Sequence, residues 1–224
     1  VLTMKKAQLN EKSTLVKTIV TSDLGANIGR GFGLQIEETL TGFKYIGDKI
    51  NTYEQTGDKE FVIGYEESYG YLVGTHARDK DAVVSAMLIC QMAAWYKNQG
   101  KTLVDALNAV YEKYGYYLDA LDSFVLKGKD GAEKIRALMQ TFRAGGDQMF
   151  AGVERVQDFA KGIGDLPKEN VLKFLFTDGS WLAVRPSGTE PKIKVYYSIV
   201  DPDKAAAHSR LAALQAQINE IIGE

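Results

Sequence analysis

Leu15-Val16-Lys17-Thr18-Ile19-Val20 reads as a strand buried on both faces. It is rich in β-branched residues and almost continuously apolar, where a half-exposed strand would alternate. Ser22 and Asp23 follow it as candidate helix caps. Residues 34–40 and 60–64 read as second and third strands. Residues 79–98 predict a helix, with Val83, Val84, Met87, Leu88, Gln91 and Trp95 at helical spacing and Gly100 just past its end. Residues 102–113 predict another, with Leu103, Ala106, Leu107 and Val110 on one face. Buried strands interleaved with helices imply an α/β domain with a largely parallel sheet.

The texture changes after Tyr117. Residues 122–126 suit a strand and 131–143 a helix. Strand-like runs then follow quickly, at 153–159, 171–176, 181–184 and 193–200. Asp178-Gly179 between two of them is a hairpin signal. A closing helix over 202–222 lines up Leu211, Leu214, Ile218 and Ile221. An antiparallel sheet backed by helices, an α+β domain, is expected here. The boundary falls within 114–122, giving domains 1–118 and 119–224.

The chain has 224 residues, 45% hydrophobic and 25% charged, with a net charge of −2. That length buries a real core. The charge excludes the broad basic surface of a nucleic-acid binder, so any anion site is local. No apolar run approaches the ~20 residues of a membrane span, and the first residues lack signal-peptide character; a cytoplasmic protein is expected. The chain opens on Val1 instead of Met, which suggests a processed or longer precursor. Cys90, the one cysteine, sits in Ala86-Met87-Leu88-Ile89-Cys90 and reads as a small core hydrophobe.

Three loops carry candidate chemistry. Arg185-Pro186-Ser187-Gly188-Thr189-Glu190-Pro191-Lys192 offers a guanidinium, two hydroxyls, an unobstructed glycine amide and a lysine. A phosphate dianion takes that set, since Arg binds it through two parallel hydrogen bonds and backbone amides add a nest of donors. The competing reading is a polar turn with incidental charges. Gly64-Tyr65-Glu66-Glu67-Ser68-Tyr69-Gly70 follows a strand at the end where α/β sheets bind ligands. Its carboxylates and serine suit vicinal hydroxyls, or else form an acidic surface turn. Thr41-Gly42-Phe43-Lys44 is a weak signal alone. Arg78-Asp79-Lys80-Asp81 either caps the long helix or presents its bases to an anion. Gly29-Arg30-Gly31-Phe32-Gly33 lacks dinucleotide-loop spacing. His76 and His208 form no metal or triad pattern.

Together and in order, these loops and Val16-Lys17-Thr18-Ile19-Val20-Thr21-Ser22 resemble the α-D-phosphohexomutase superfamily, and within it the phosphoglucomutases. Thr-Gly-Phe-Lys and the two glutamates before Ser68 favour the glucose type. The resemblance implies the third and fourth of four domains: a three-layer α/β domain with a mixed sheet, lacking its first strand, then a TBP-like α+β domain. It implies interconversion of glucose 1-phosphate and glucose 6-phosphate through glucose 1,6-bisphosphate. Mg2+ and a phosphoserine would be supplied by N-terminal domains of the same polypeptide, so this chain alone would bind no cofactor, contain no catalytic residue and be inactive. Glu66 and Ser68 would hold sugar hydroxyls, and Arg185, Ser187, Gly188 and Thr189 the nonreacting phosphate. Thr41, Gly42 and Lys80 match ligand-contacting positions, with Glu67, Lys44 and Lys192 as further candidates. The alternatives are a phosphomannomutase-type or other phosphohexomutase fragment, and a stand-alone sugar-phosphate binding module.

Overall fold

The computed structural model describes residues 1–126, 130–188 and 190–223. The chain divides into two compact units, Val1–Tyr114 and Gly115–Glu224. Residues 115–118 go with the second unit, ahead of the 118/119 boundary read from sequence. The reason is pairing: Tyr116, Tyr117 and Leu118 sit opposite Asp201, Val200 and Ile199.

The first unit opens with a short helix α1 (Leu2–Lys5) and continues β1 (Ser13–Thr18), α2 (Leu24–Gly31), β2 (Gln35–Thr39), α3 (Phe43–Thr56), β3 (Glu60–Glu66), β4 (Gly70–Val73), α4 (Ala82–Lys97) and α5 (Leu103–Tyr114). Its sheet has the order β2-β1-β3-β4. β1 pairs in parallel with β2 and β3, and β4 runs antiparallel to β3. All six residues of β1 are buried. Consecutive side chains point to opposite faces, so Val16 packs with Phe43, Ile46, Ile50 and Tyr53 of α3, while Leu15 packs with Leu34, Val62 and Ile36. α2 lies over that second face, close enough that a Cβ on Gly29 would stand 3.0 Å from Ile36 and 3.2 Å from Leu15.

The sequence reading missed α3 and β4. Gly47 breaks the helical pattern of α3, but a Cβ there would lie 2.5 Å from the carbonyl oxygen of Arg78; the glycine admits the 75–78 loop. A second correction concerns Cys90, which is exposed rather than buried, because α4 buries none of its residues.

The second unit runs β5 (Tyr116–Val125), α6 (Gly131–Gly145), β6 (Val153–Asp158), β7 (Leu172–Phe176), β8 (Trp181–Pro186), β9 (Lys192–Asp201) and α7 (Lys204–Ile222). Its five strands form an antiparallel sheet ordered β5-β9-β8-β7-β6. β5 is twice the expected length; only its residues 122–125 looked strand-like in sequence. The β7–β8 hairpin turns at Asp178-Gly179 as expected, with Gly179 at φ 87°. One core joins Met139 and Phe142 of α6, Phe174, Leu182, Val184 and Val195 of the sheet, and Leu211, Leu214 and Ile218 of α7. No helix among the described residues is long and apolar enough to cross a membrane.

Candidate functional site

In the first unit the candidate residues gather where β1, β2 and β3 end. β3 and β4 form a hairpin whose turn is Glu67-Ser68-Tyr69, with Glu66 opposite Gly70. Tyr69 takes φ 64°, an uncommon conformation for a residue with a side chain. Ser68 is exposed at the tip, and Glu66 is buried behind it at 8% exposure.

Glu66 Oε1 lies 3.8 Å from Lys80 Nζ. Lys80 also donates to Asp79 Oδ1 at 2.9 Å and stands 5.2 Å from the centroid of the Phe43 ring. The hydrogen bond to Asp79, with the charges of Asp79 and Glu66, raises the Lys80 pKa despite some desolvation. The structure therefore joins three separate sequence segments, those of Phe43, Glu66 and Lys80. Gly70 makes room for this: a Cβ on it would fall 2.5 Å from Lys80 Cδ and 2.8 Å from Glu66 Oε1. Thr41 and Gly42 precede Phe43 at the start of α3. Gly42 takes φ 120° as the N-cap, and no side chain caps that helix. Thr41 Oγ1 is sequestered without a hydrogen-bond partner. Lys44 departs from the cluster, its ammonium lying over the Tyr45 ring.

Glu67 plays a different part. Thr18 and Thr21 place their hydroxyls 2.6 Å apart, and Glu67 Oε2 lies 3.1 Å from the first and 3.4 Å from the second. Each hydroxyl has one hydrogen, so the shorter contacts define a chain: Thr21 donates to Thr18, and Thr18 donates to Glu67. Behind them Lys17 is fully buried. Its ammonium donates to Glu38 Oε1 at 2.7 Å and the Thr21 carbonyl at 3.0 Å, and pairs with Asp23 Oδ1 at 3.0 Å. Sequence reasoning missed this network. Its signal was a lysine inside an otherwise apolar strand, a position that requires a charged partner.

Arg78 and Asp81 make contacts within the fold. Arg78 donates to Asn51 Oδ1 at 2.6 Å and to the Thr75 carbonyl at 2.6 Å, and pairs with Glu54. Asp81 caps α4 by accepting from Val84 N at 2.9 Å. A hydrogen bond from His76 and those of the helix amides hold its carboxyl below the usual range.

In the second unit the 187–191 loop joins β8 to β9. Ser187 N donates to the Lys192 carbonyl at 2.7 Å, and Lys192 N to the Glu190 carbonyl at 2.7 Å. Arg185 Nε donates to Glu169 Oε1 at 2.9 Å, a partner sequence reasoning did not find. Burial lowers the guanidinium pKa, but the hydrogen bond and charge of Glu169 outweigh it and the net shift is upward. Lys192 Nζ reaches Glu190 Oε2 at 2.8 Å. Gly188 is exposed, and a Cβ added there meets nothing within 4 Å, so the fold itself does not demand a glycine. Thr189 lies outside the described residues.

The α/β unit and the antiparallel α+β unit match a known pair of domains. The pattern described as "Phosphoglucomutase/phosphomannomutase, alpha/beta/alpha domain III" matches residues 1–114, and the C-terminal domain of the same family matches residues 98–221. The chain belongs to the phosphoglucomutase/phosphomannomutase family. It is 35% identical over 209 residues to a phosphoglucomutase of Staphylococcus saprophyticus, covering 85% of this chain and 37% of that protein. It is 38% identical over 202 residues to one from a bovine strain of Staphylococcus aureus, covering 84% and 36%. The chain thus spans little more than a third of these relatives. Among solved structures, the open form of the Paramecium phosphoglucomutase parafusin superposes with a TM-score of 0.72 at 21% identity, over 94% of this chain and 37% of the other. A putative phosphomannomutase from Thermus thermophilus gives 0.62 at 20% identity, over 100% and 39%. These two show the shared fold.

Proposed function

We propose that this chain is the substrate-binding half of a phosphoglucomutase that interconverts glucose 1-phosphate and glucose 6-phosphate through glucose 1,6-bisphosphate. The observation that carries the proposal is the convergence of Phe43, Glu66 and Lys80 from three separated segments. A buried carboxylate beside an ammonium, at the base of an exposed serine turn, suits a pair of vicinal hydroxyls: the acid accepts and the base or serine donates. Glu66 and Ser68 are assigned to the sugar hydroxyls, with Lys80, Thr41 and Gly42 beside them. Glu67, held by Thr18, positions the turn. Arg185, Ser187, Gly188, Thr189 and Lys192 are assigned to the nonreacting phosphate. The open space at Gly188 lets an anion approach the backbone closely, and the Glu169 bond holds the Arg185 fork in one orientation.

The phosphoserine and the Mg2+ that would stabilise charge on the transferring phosphoryl group are assigned to N-terminal domains of a full-length protein. Among the described residues, no three His, Cys, Asp or Glu side chains group as metal ligands. This chain's part is to bind and orient, and alone it would turn over no substrate. A cytoplasmic location belongs to the same reading.

The test is an NMR titration of the isotope-labelled chain with glucose 6-phosphate and mannose 6-phosphate, alongside a coupled mutase assay. The expected result is shifts at 66–68 and 185–192, preference for the glucose ester, and no turnover. Arg185→Ala should weaken binding by about 1.5–3 kcal/mol, the worth of a charge-assisted bidentate contact, and Lys should restore only part of it. Identical titrations for the parent and Arg185→Ala would remove the phosphate assignment; preference for mannose 6-phosphate would favour a phosphomannomutase.

A further inference from the structure

Arg143 stands in the last turn of α6, and its guanidinium joins two segments of the second unit. Nε donates to Asp158 Oδ2 at 3.1 Å, and Nη2 donates to Asp158 Oδ1 at 3.3 Å and to Asn170 Oδ1. Asp158 is the last residue of β6, and Asn170 comes just before β7. Arg143 thus pins together the two ends of the 159–170 connection. The backbone closes the same neck. Phe159 N donates to the Val171 carbonyl at 3.0 Å, Glu169 N to the Phe159 carbonyl at 3.3 Å, and Val171 N to the Glu169 carbonyl at 2.8 Å. The last of these makes a three-residue turn centred on Asn170. Phe159 is buried and roots the neck. Glu169 therefore leaves the backbone where its own N–H and C=O are both bonded, and its carboxylate accepts from Arg185 Nε at 2.9 Å. A hydrogen bond with the Tyr196 side chain holds Arg185 as well.

We infer that Arg143 is a positioning residue for the candidate phosphate site, acting on Arg185 through the 159–170 neck and Glu169. The inference rests on the assignment of Arg185 to the nonreacting phosphate. Guanidinium geometry gives the link its consequence. A bidentate partner can take either the Nε side of the fork or its terminal Nη pair. Glu169 occupies Nε, so it directs a phosphate to the terminal pair. The Arg185 and Glu169 side chains are each about a quarter exposed, and an ion pair that open to water loses side-chain entropy in holding one geometry. The neck removes much of that freedom by fixing the Glu169 backbone. The charge of Glu169 also repels a phosphate dianion. A loosened Glu169 keeps that repulsion and loses the orientation, so freeing the neck weakens phosphate binding.

The experiment measures the glucose 6-phosphate affinity of the 224-residue chain by NMR titration and follows the Arg185 Nε–H resonance without ligand. Arg143→Lys keeps the charge but has no fork to join Asp158 and Asn170. Asn170→Ala, at an exposed position, loosens the neck with every charge in place. The expected result is affinity about 5-fold weaker for Arg143→Lys and about 2-fold weaker for Asn170→Ala, within the range of coupling between linked residues. Arg185 Nε–H should exchange with water faster in both. In an Arg185→Ala background neither substitution should weaken binding further, because groups that act through one another are not additive. A merely structural role for Arg143 would instead leave its loss at full size in that background, and that result would overturn the inference. So would unchanged affinity and unchanged Nε–H exchange in the two single variants. If Arg143→Lys fails to fold by circular dichroism, Asn170→Ala carries the same test. A parent chain whose 185–192 resonances ignore glucose 6-phosphate would overturn the functional reading instead, and the ligand-free Nε–H exchange would still decide whether the neck controls Arg185.

Discussion

In Gly115–Glu224 both helices turn their apolar residues onto a single sheet, and Trp181, Phe174, Leu182 and Val184 are almost wholly enclosed. In Val1–Tyr114, α2 and α3 cover the two faces of the sheet in the same way, but α4 carries Val83, Met87 and Trp95 outward. The candidate groups differ in parallel. Arg185 and Lys192 each meet one carboxylate near the surface, whereas Glu67 is tied through two threonines to a loop anchored by the fully buried Lys17. The second unit closes its own core and displays its candidate loop on a strand connection. The first supports its candidate turn from inside and leaves an outer helix exposed.

The sharpest way to break this comparison is inside the second unit. Phe174 is fully buried and meets Phe150 edge-on at 5.1 Å and Phe142 at 6.4 Å. Phe174→Ala should cost about 3–5 kcal/mol, combining lost burial with the cavity left behind. The two tryptophans allow a unit-specific readout, because Trp181 is buried in the second unit and Trp95 exposed in the first. Urea unfolding of a Trp95→Phe background, followed by Trp181 emission, measures the change. A loss below ~1 kcal/mol would mean the sheet relaxes around the gap and the unit is not tightly closed.

Lys17→Met comes next in size. It leaves Glu38 and Asp23 facing an uncharged methyl group at the end of β1. Removing one partner of a buried pair costs about 3–5 kcal/mol; these carboxylates are partly exposed, so about 2–3 kcal/mol is expected. Hydrogen exchange of the β1–β3 amides should accelerate, with the second unit unaffected. Unchanged protection would show that the threonine chain stands without Lys17.

Much of this organisation was legible in the sequence alone. The first strand is read at 15–20 from its apolar character, two residues later than β1 at Ser13–Thr18, and the β7–β8 hairpin is read from Asp178-Gly179. The elements that escaped did so for local reasons with tertiary causes. α3 contains Gly47, Asn51 and Thr52, poor helix formers, and only the approach of Arg78 explains the glycine. β4 has four residues, too few to show alternation. At the candidate site the residue types were readable, but their partners were not. Glu169 lies 16 positions from Arg185 and Thr18 lies 49 from Glu67, and no periodicity connects residues that meet only through a sheet. Cys90 was misplaced because apolar composition predicts that a helix face will be covered without saying what covers it.

The smallest predicted effect distinguishes the two kinds of apolar residue most directly. Val83 and Val184 are the same residue in opposite circumstances, one 81% exposed on α4 and the other fully enclosed in β8. Truncating Val184 to Ala would remove packed methyl groups and cost stability. Truncating Val83 removes few contacts, so the balance passes to the backbone. A β-branched side chain loses χ1 freedom against the preceding helical turn, and alanine does not; the propensity difference is about 0.5 kcal/mol in favour of alanine. In the 224-residue chain Val83→Ala should therefore be neutral or stabilising by a few tenths of a kcal/mol, read by thermal unfolding. In a polypeptide that covers α4 the sign should reverse, because the methyl groups would then be packed. A destabilisation above ~1 kcal/mol in the 224-residue chain itself would mean that Val83 is already enclosed in solution, and the contrast between the two units would fail at its outermost residue.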